Sequence, residues 1–354
     1  MRIACSRAEN VAAAFLVAAG AAAEEAVLVA RNLVQADARG IHTHGINFLP
    51  KIAARITAGV LDIPTRLTTV SDEGALCHMD GGNGFGQVAG HAAMECALEK
   101  ARRYGIGMSL VRNTNHIGLL AFYSMLAAEQ GMVGFAMCNS APSMAPWGGT
   151  EPFFGTNPFS IACPSGQGHP IVLDMSTSVV ARGKIRKALK NGEAIPREWA
   201  FGPDGRPTDD PGAAMKGTLM PIGGAKGYGM AFFIDLICGL LSGSKFSREI
   251  TTFHKPEGPT GVGTMMLAVR IEQFMPLEAF SSLVRAHIAT VRESSRAEGS
   301  ERIFLPGEIE AQLQARAETE GIEIEERTIR EIDHLLEEWK LTERLSGQEH
   351  HRSA

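Results

Sequence analysis

The 354-residue sequence contains no apolar run near the roughly 18–20 residues that a membrane-spanning helix needs. It also lacks a basic stripe: the formal net charge is −5, and acidic and basic residues are mixed, so we expect neither a nucleic-acid nor a membrane partner. Its six cysteines are scattered without a C-x-x-C pair. This usage predicts reduced, mostly buried thiols in a cytoplasmic protein rather than a disulfide framework or a zinc site.

An alanine-rich apolar segment at 11–23 follows Arg2 and Arg7, and this outline is that of a secretory signal. Apolar residues nevertheless recur at helical spacing from Phe15 onward, and the pattern continues past Glu24 instead of ending. We therefore favour a buried helix that belongs to the fold over a signal that is removed.

Helical patterns occupy both ends of the chain, whereas the middle alternates short apolar strands with helices, which is typical of an α/β layer. The Thr-rich stretch after Pro64 reads as a connector. We divide the chain into a helical part at 1–74, an α/β domain at 75–275, a second helical part at 276–345 and a frayed tail at 346–354.

One glycine-rich segment, Gly84 to Ala89, fits the dinucleotide fingerprint G-x-G-x-x-A between a predicted strand and a predicted helix. The next strand, however, ends in Arg112 to Asn115, where an NAD-binding fingerprint needs an acidic residue for the ribose. A plain glycine turn explains the same residues. Both interpretations remain open at this point.

Six motifs in order resemble those of the type-2 malate/L-lactate dehydrogenase family, which includes ureidoglycolate dehydrogenase, diketogulonate reductase, sulfolactate dehydrogenase and piperideine-2-carboxylate reductase. The hallmark is ADARGIHTHGI at 36–46, similar to the family's ADxRGxxSHG. The others are NTNHIG at 113–118, NSAP through GTNP at 139–158, DMSTS at 174–178, PIGGAKGYG at 221–229 and LPGE at 305–308.

The resemblance implies a fold that is not Rossmann: a helical domain built from both chain ends, joined to an α/β domain that binds NAD or NADP, in a homodimer. It implies NAD(P)H-dependent interconversion of a small 2-oxo acid and its 2-hydroxy acid. Reduction of a cyclic imine carboxylate is the alternative, and a catalytically silent binding protein of the same fold is a third. The GGNGFG segment then becomes a structural turn.

Two histidines compete for the role of proton donor. Histidine titrates near neutral pH, and we favour His44 as the acid/base, with the hydroxyl of Thr43 orienting its imidazole. The resemblance also places His116 in the active site, as a partner of substrate or nicotinamide. His42 and His44 could suggest a metal pair, but no third ligand lies at suitable spacing, and we expect no metal.

The remaining site residues are carried over from the matching motifs. Short hydroxyl side chains, free backbone N–H groups and a lysine suit ribose and phosphate oxygens, although Ser176 and its neighbours would equally suit a helix cap. The predicted cofactor-binding residues are Ser140, Asp174, Met175, Ser176, Gly224, Lys226, Pro306, Gly307 and Glu308, and Asn157 is a predicted substrate contact.

The chain departs from its relatives at two positions. Many of them place an arginine four residues after the motif histidine and often a tyrosine four beyond that, where this sequence has Phe48 and Ile52. A buried carboxylate cannot stay unpaired, so another cation must hold that of the substrate. Phe48 predicts a preference for apolar side chains over dicarboxylates, unless it only packs in the core. The candidate cations are Lys51, Arg55, Arg182, Lys184 and Lys226.

Overall fold

Helices gather at both ends of the chain and flank a sheet in the computed structural model, which describes residues 1–347. The helices are α1 Cys5–Ala18, α2 Ala23–Ala38, α3 Leu49–Thr57, α4 Gly86–Tyr104, α5 Ala121–Glu129, α6 Arg182–Asn191, α7 Pro211–Lys216, α8 Ala225–Asp235, α9 Leu277–Glu293, α10 Glu308–Glu320 and α11 Glu326–Glu338. The strands are β1 Arg2–Ile3, β2 Thr68–Glu73, β3 Leu76–Asp80, β4 Ile106–Thr114, β5 Met132–Cys138, β6 Phe159–Cys163, β7 Ile171–Met175, β8 Ala200–Phe201, β9 Thr218–Leu219, β10 Val262–Arg270 and β11 Ile322–Glu323.

The helical domain is built from both chain ends, as predicted. Its core joins Phe15 and Leu33 from the N-terminal helices with Ile332 and Leu336 from α11. The short strands β1 and β11 pair antiparallel and bring the two ends together. The apolar N-terminal segment forms α1, in which Phe15 and Leu16 are fully buried.

A seven-stranded sheet in the order β2-β3-β4-β10-β5-β6-β7 forms the α/β domain. Strands β3 and β4 are parallel across α4, and the other neighbouring pairs are antiparallel. A Rossmann domain has an open, mostly parallel sheet, so this topology confirms the non-Rossmann prediction. Helices α4 and α5 bury one face of the sheet around Met94, Leu98 and Met266.

Three segments differ from the sequence-based expectations. The expected connector after Pro64 contains β2, an edge strand whose residues are all exposed and which therefore carries no apolar alternation. The predicted boundary at 74/75 thus falls within the hairpin that joins β2 to β3. The sequence predicts a helix over 228–241. The helix observed there begins earlier, as α8, and continues as a π-helix from Leu236 to Leu241.

Helix α9 lies against the α/β domain, although its sequence was assigned to the C-terminal helical part. Leu277 contacts Gly131, and Arg285 Nη1 donates to the carbonyl oxygen of Gly166 at 3.0 Å. Helices α10 and α11 instead contact α2 and α3. Most of the predicted tail, 348–354, lies outside the described residues. Within residues 1–347, no helix has the length and hydropathy that crossing a membrane requires.

Candidate active site

The turn between α2 and α3 carries the first candidate catalytic residues, and the buried Asp37 braces it. The Asp37 carboxylate accepts a hydrogen bond from His42 Nδ1 at 2.9 Å and another from the backbone N–H of Ile46 at 2.7 Å. The hydrogen bond to Asp37 raises the pKa of His42 above its usual value, against the opposing effect of burial. His42 is therefore a structural partner of Asp37. In residues 1–347, no three His, Cys, Asp or Glu side chains group as metal ligands.

Three stacked rings form the centre of the site. The ring of His116, at the end of β4, lies 5.3 Å from His44 and 4.4 Å from Phe48, measured between centroids. The turn after α2 supplies His44 and Phe48, so the helical domain and the α/β domain each contribute one histidine. Phe253 covers the other edge, 5.5 Å from His116. The two predicted catalytic histidines therefore lie together.

Hydrogen bonds at Nδ1 distinguish the two histidines. The backbone N–H of Gly118 donates to His116 Nδ1 at 3.1 Å, so this nitrogen must be an acceptor and the proton of the neutral ring is on Nε2. His44 Nδ1 lies 2.9 Å from Thr43 Oγ1, a hydroxyl that can donate or accept. His44 can therefore carry one or two protons and keep its hydrogen bond to Thr43. A proton on His116 Nδ1, by contrast, would face the Gly118 N–H, which is also a donor.

Both rings are held in the neutral form in the protein alone. Burial, together with the positive charge of Lys51, lowers the pKa of His44 to about 4. Burial, with His44, His254 and Lys51 nearby, lowers the pKa of His116 well below its usual value. A neutral His44 is the form that accepts a proton when a hydroxy acid is oxidised.

The candidate cations for the substrate carboxylate differ in their exposure and in whether protein groups already bind them. Arg55 is fully buried and donates to the carbonyl oxygens of Lys255 at 3.0 Å and Gly258 at 2.7 Å, so it anchors the 251–260 loop. Arg182 likewise donates to the carbonyl oxygens of Met215 and Gly217 at 3.3 and 3.0 Å. Lys184 and Lys226 are exposed. Lys51 lies beside the rings, its Nζ 4.0 Å from the Phe48 centroid.

Three of the sequence motifs, at 139–158, 174–178 and 221–229, interlock at the β7 edge of the sheet. The fully buried Asn157 accepts from the Ser140 N–H at 3.0 Å and donates to the carbonyl oxygen of Ala231 in α8 at 2.8 Å. Thr177 N–H donates to the carbonyl oxygen of Thr156 at 2.9 Å, and Ile222 N–H donates to that of Thr177 at 2.9 Å. Asn157 thus uses its side chain to hold the Ser140 loop against α8, a bracing position rather than an open one.

The predicted cofactor contacts surround this interlocked set. Asp174 accepts one hydrogen bond, from the Ala121 N–H at 3.0 Å, and burial raises its pKa to about 6 despite that bond. Ser176 and Met175 follow it at the end of β7. Gly224 and the exposed Lys226 lie at the start of α8. The Asp174 carboxylate can accept further hydrogen bonds, as ribose hydroxyls need. The Ser176 hydroxyl and the Lys226 ammonium can donate hydrogen bonds to phosphate oxygens.

The loop of Pro306, Gly307 and Glu308 docks beside this set on the free edge of β7. The carbonyl oxygen of Pro306 accepts from the Val172 N–H at 3.1 Å. The buried Glu308 carboxylate accepts from the Leu305 N–H at 2.9 Å and pairs with Arg292 and Arg302. Burial alone would raise the pKa of Glu308, but these partners outweigh it and lower the pKa. Glu308 therefore stabilises its own loop.

The GGNGFG segment is a packing turn, as the resemblance implied. A Cβ on Gly86 would lie 2.3 Å from the carbonyl oxygen of Asn115, because the loop that carries His116 crosses the start of α4. The side chain of Asn115 also donates to the carbonyl oxygen of Asn83 at 2.8 Å. The helix terminus that a pyrophosphate would need is covered by the protein itself.

Several residues at the site carried no motif signal. Phe253 and His254 lie in the loop before β10, and their rings lie 5.8 Å from that of Phe48. The start of α6 also closes on the site, since a Cβ on Gly183 would lie 2.9 Å from Thr43 Cγ2. These contacts join segments far apart in the sequence, and only the tertiary structure reveals them.

Known proteins share this sequence and this arrangement. A family model described as malate/L-lactate dehydrogenase matches residues 3–333. The chain is 39% identical over 297 residues to malate dehydrogenase from Pyrococcus abyssi, covering 82% of this chain and 81% of that protein. Relatives named for NAD(+) and relatives named for NADP(+) both match.

Solved structures show the same fold. Sulfolactate dehydrogenase from Methanocaldococcus jannaschii superposes with a TM-score of 0.92 at 34% identity, over 98% of this chain and 99% of that one. The Δ1-piperideine-2-carboxylate reductase from Pseudomonas syringae pvar. tomato gives a TM-score of 0.84 at 28% identity, over 95% and 99%. The chain is an oxidoreductase that belongs to the malate/L-lactate dehydrogenase family.

Proposed function

We propose that this protein uses NAD(P)H to interconvert a small 2-oxo acid and its 2-hydroxy acid. The observation that carries the proposal is the His44–Thr43 pair beside His116, on the boundary between the two domains. In reduction, C2 of the 2-oxo acid gains a hydride, the carbonyl oxygen gains a proton, and the dinucleotide leaves oxidised. The two histidines, and the dehydrogenase activities for which the relatives of this chain are named, favour this reaction over the alternative of a catalytically silent binding protein.

His44 is the proton donor in this proposal. Its Nδ1 stays on the Thr43 hydroxyl in either protonation state, which leaves Nε2 to give a proton to the carbonyl oxygen and to take it back in oxidation. His116 donates a hydrogen bond from Nε2 to substrate, because the Gly118 N–H fixes its tautomer. Phe48 supports the His116 ring at 4.4 Å, which fits a positioning role beside its role as an apolar wall.

A nicotinamide dinucleotide supplies the hydride when bound. The groups around the interlocked motifs fit it: Asp174 can accept from ribose hydroxyls, Ser176 and Ser140 offer hydroxyls, and Lys226 faces solvent where a phosphate can reach it. Met175, Gly224 and the Pro306–Glu308 loop shape the walls of this region. Asn157 acts by holding Ser140 in place, and the same groups accept NAD or NADP.

Cyclic imine carboxylate reduction is the second candidate function. The aromatic surface of Phe48, His116 and Phe253 suits a flat ring, and the P. syringae reductase shares the fold. The same His44 would then donate its proton to the ring nitrogen.

A substrate panel tests the proposal. Purified protein is mixed with NADH or NADPH and with pyruvate, phenylpyruvate, oxaloacetate or piperideine-2-carboxylate, and the loss of absorbance at 340 nm is followed. Turnover with at least one 2-oxo acid supports the leading proposal, and turnover with the imine alone supports the second. No oxidation of either cofactor with any of the four compounds would refute both.

The proposed assembly is a homodimer in the cytoplasm. Helix α8 and the π-helix after it leave an apolar face open, on which Phe233 is 62% exposed, Leu241 61% and Leu240 55%. Contiguous exposed apolar surface of this kind marks a protein interface, and a second copy is the partner we propose for it. The six free cysteines fit a reducing compartment.

A further inference from the structure

We infer that Lys51 binds the substrate carboxylate. This inference rests on the proposed function and names a specificity-determining residue within the same site. Residues three apart lie on the same face of a helix. Lys51 follows Phe48 by three residues, and its ammonium lies over the Phe48 ring, 4.0 Å from the centroid.

The half-buried ammonium of Lys51 has no direct partner among the residues that the structure describes. Within residues 1–347, its Nζ makes no hydrogen bond and no ion pair, whereas the guanidinium groups of Arg55 and Arg182 are occupied by carbonyl oxygens. Burial and the nearby Arg186 lower the pKa of Lys51 to about 8, while Glu331 opposes them weakly. A bound carboxylate would compensate the cost of burying this charge and would favour the protonated amine.

The neighbouring groups determine how an anion would lie. The Phe48 ring under the Lys51 ammonium lies 4.4 Å from the ring of His116, 5.8 Å from that of His254 and 6.2 Å from that of His44, measured between centroids. A 2-oxo acid with its carboxylate on Lys51 would place the adjacent carbonyl oxygen toward the two catalytic rings. The Lys51 ammonium would bind the carboxylate as a point charge, because it lacks the planar, bidentate geometry of a guanidinium.

The first test compares Lys51→Met with Lys51→Arg and a control, Lys190→Met, which removes an exposed lysine in the last turn of α6. The best 2-oxo acid of the panel should show a KM about 10- to 100-fold higher in Lys51→Met, the range for deleting one partner of a hydrogen-bonded charge. Lys51→Arg should recover most of the loss, and the control should match wild type. Thermal unfolding confirms that all variants are folded.

Two further readouts separate this inference from the proposed function. Oxamate binding, measured by calorimetry with cofactor present, should weaken by the same factor in Lys51→Met regardless of turnover. The methyl ester of the 2-oxo acid has no charge, so its kcat/KM should be equal in Lys51→Met and wild type. Wild-type turnover with an unchanged KM and unchanged oxamate binding in Lys51→Met would overturn the carboxylate seat and leave the function standing. If oxamate binding depends on Lys51 but the wild-type protein turns over no substrate, the carboxylate site would stand and the proposed function would be refuted.

The pH dependence gives an independent signature. The amine loses its proton as pH rises through about 8, so the oxamate affinity of wild type should fall above that pH. The pKa of His44 and that of His254 are about 4, and burial lowers the pKa of His116 well below its usual value, so none of these rings causes a fall near pH 8. Arg186 and Glu331 are the other charged groups near Lys51. This fall in oxamate affinity should be absent in Lys51→Met and should occur at a higher pH in Lys51→Arg. The same fall in affinity in Lys51→Met would overturn the assignment of the carboxylate site to Lys51.

Discussion

Replacing His44 by alanine should abolish most turnover while the dinucleotide still binds. General acid catalysis by a positioned side chain typically contributes ~10²–10⁴-fold in rate, and this is the loss we expect in kcat. His44 lies at the ring stack, and the proposed cofactor contacts surround Asp174 and Lys226 elsewhere on the α/β domain. Fluorescence titration with NADH and NADPH should therefore give dissociation constants close to those of wild type.

The Thr43 hydroxyl supplies a graded version of the same experiment. Thr43→Val removes the hydrogen bond to Nδ1 at nearly constant volume, which costs about 1 kcal/mol for one hydrogen bond and slows kcat by about 5- to 10-fold. Thr43→Ser keeps the hydroxyl and should remain near wild type. Equal activity of the Val and Ser variants would show that Thr43 does not orient the imidazole.

The direction of the pH profile follows from the lowered pKa of His44. Reduction needs His44 protonated, so with a pKa of about 4 in the protein alone its kcat/KM should fall about tenfold per pH unit above that value. Oxidation needs the neutral ring and should show no such fall. His116→Ala should slow turnover but keep this slope. A near-normal kcat in His44→Ala, with His116→Ala inactive, would refute the reasoning and give the proton transfer to His116.

Three other predictions concern the cofactor, the substrate and the assembly. Asp174→Ala and Lys226→Ala should each weaken dinucleotide binding in a fluorescence titration, and unchanged affinity in both would contradict their assignment. Phenylpyruvate and cyclic imines should exceed oxaloacetate in kcat/KM, with Phe48→Ala narrowing the gap. Oxaloacetate in first place, with a ranking that Phe48→Ala leaves unchanged, would show that Phe48 only packs in the core. Phe233→Asp should shift the sedimentation of the protein from dimer to monomer, and a fully active, concentration-independent wild-type monomer would rule the dimer out.

Local patterns were enough to predict most of the fold. The sequence predicts helices over 277–293 and 308–320 and a strand over 159–163, and the structure has the same bounds. Clear apolar periodicity and flanking Pro or Gly residues define these elements. Strand β2 escaped prediction since all its residues face solvent and it has no apolar face to repeat. Helix α6 is similarly dominated by exposed lysine and arginine, with only Ile185 and Ala188 buried.

The site could be predicted to the extent that motifs carry it. The motifs predict His44, His116 and Thr43 as one catalytic group; in the structure the two imidazole rings stack, and the Thr43 hydroxyl contacts His44. Asn157 was expected at the substrate but is fully buried, because periodicity does not reveal which side of a loop an amide faces. The sequence offers five candidate cations for the carboxylate, and it does not show that carbonyl oxygens occupy the guanidinium groups of Arg55 and Arg182, because those contacts join distant segments.

Deuterium transfer tests the central claim most directly. The protein is incubated with the best 2-oxo acid and with NADH or NADPH carrying deuterium at C4 of the nicotinamide, in separate reactions for each C4 face. The account predicts a 2-hydroxy acid that carries one deuterium at C2 from one of the two faces, seen by proton NMR as loss of the C2 hydrogen signal. A 2-hydroxy acid without deuterium at C2 from either face, or no product at all, would contradict hydride transfer to a 2-oxo acid.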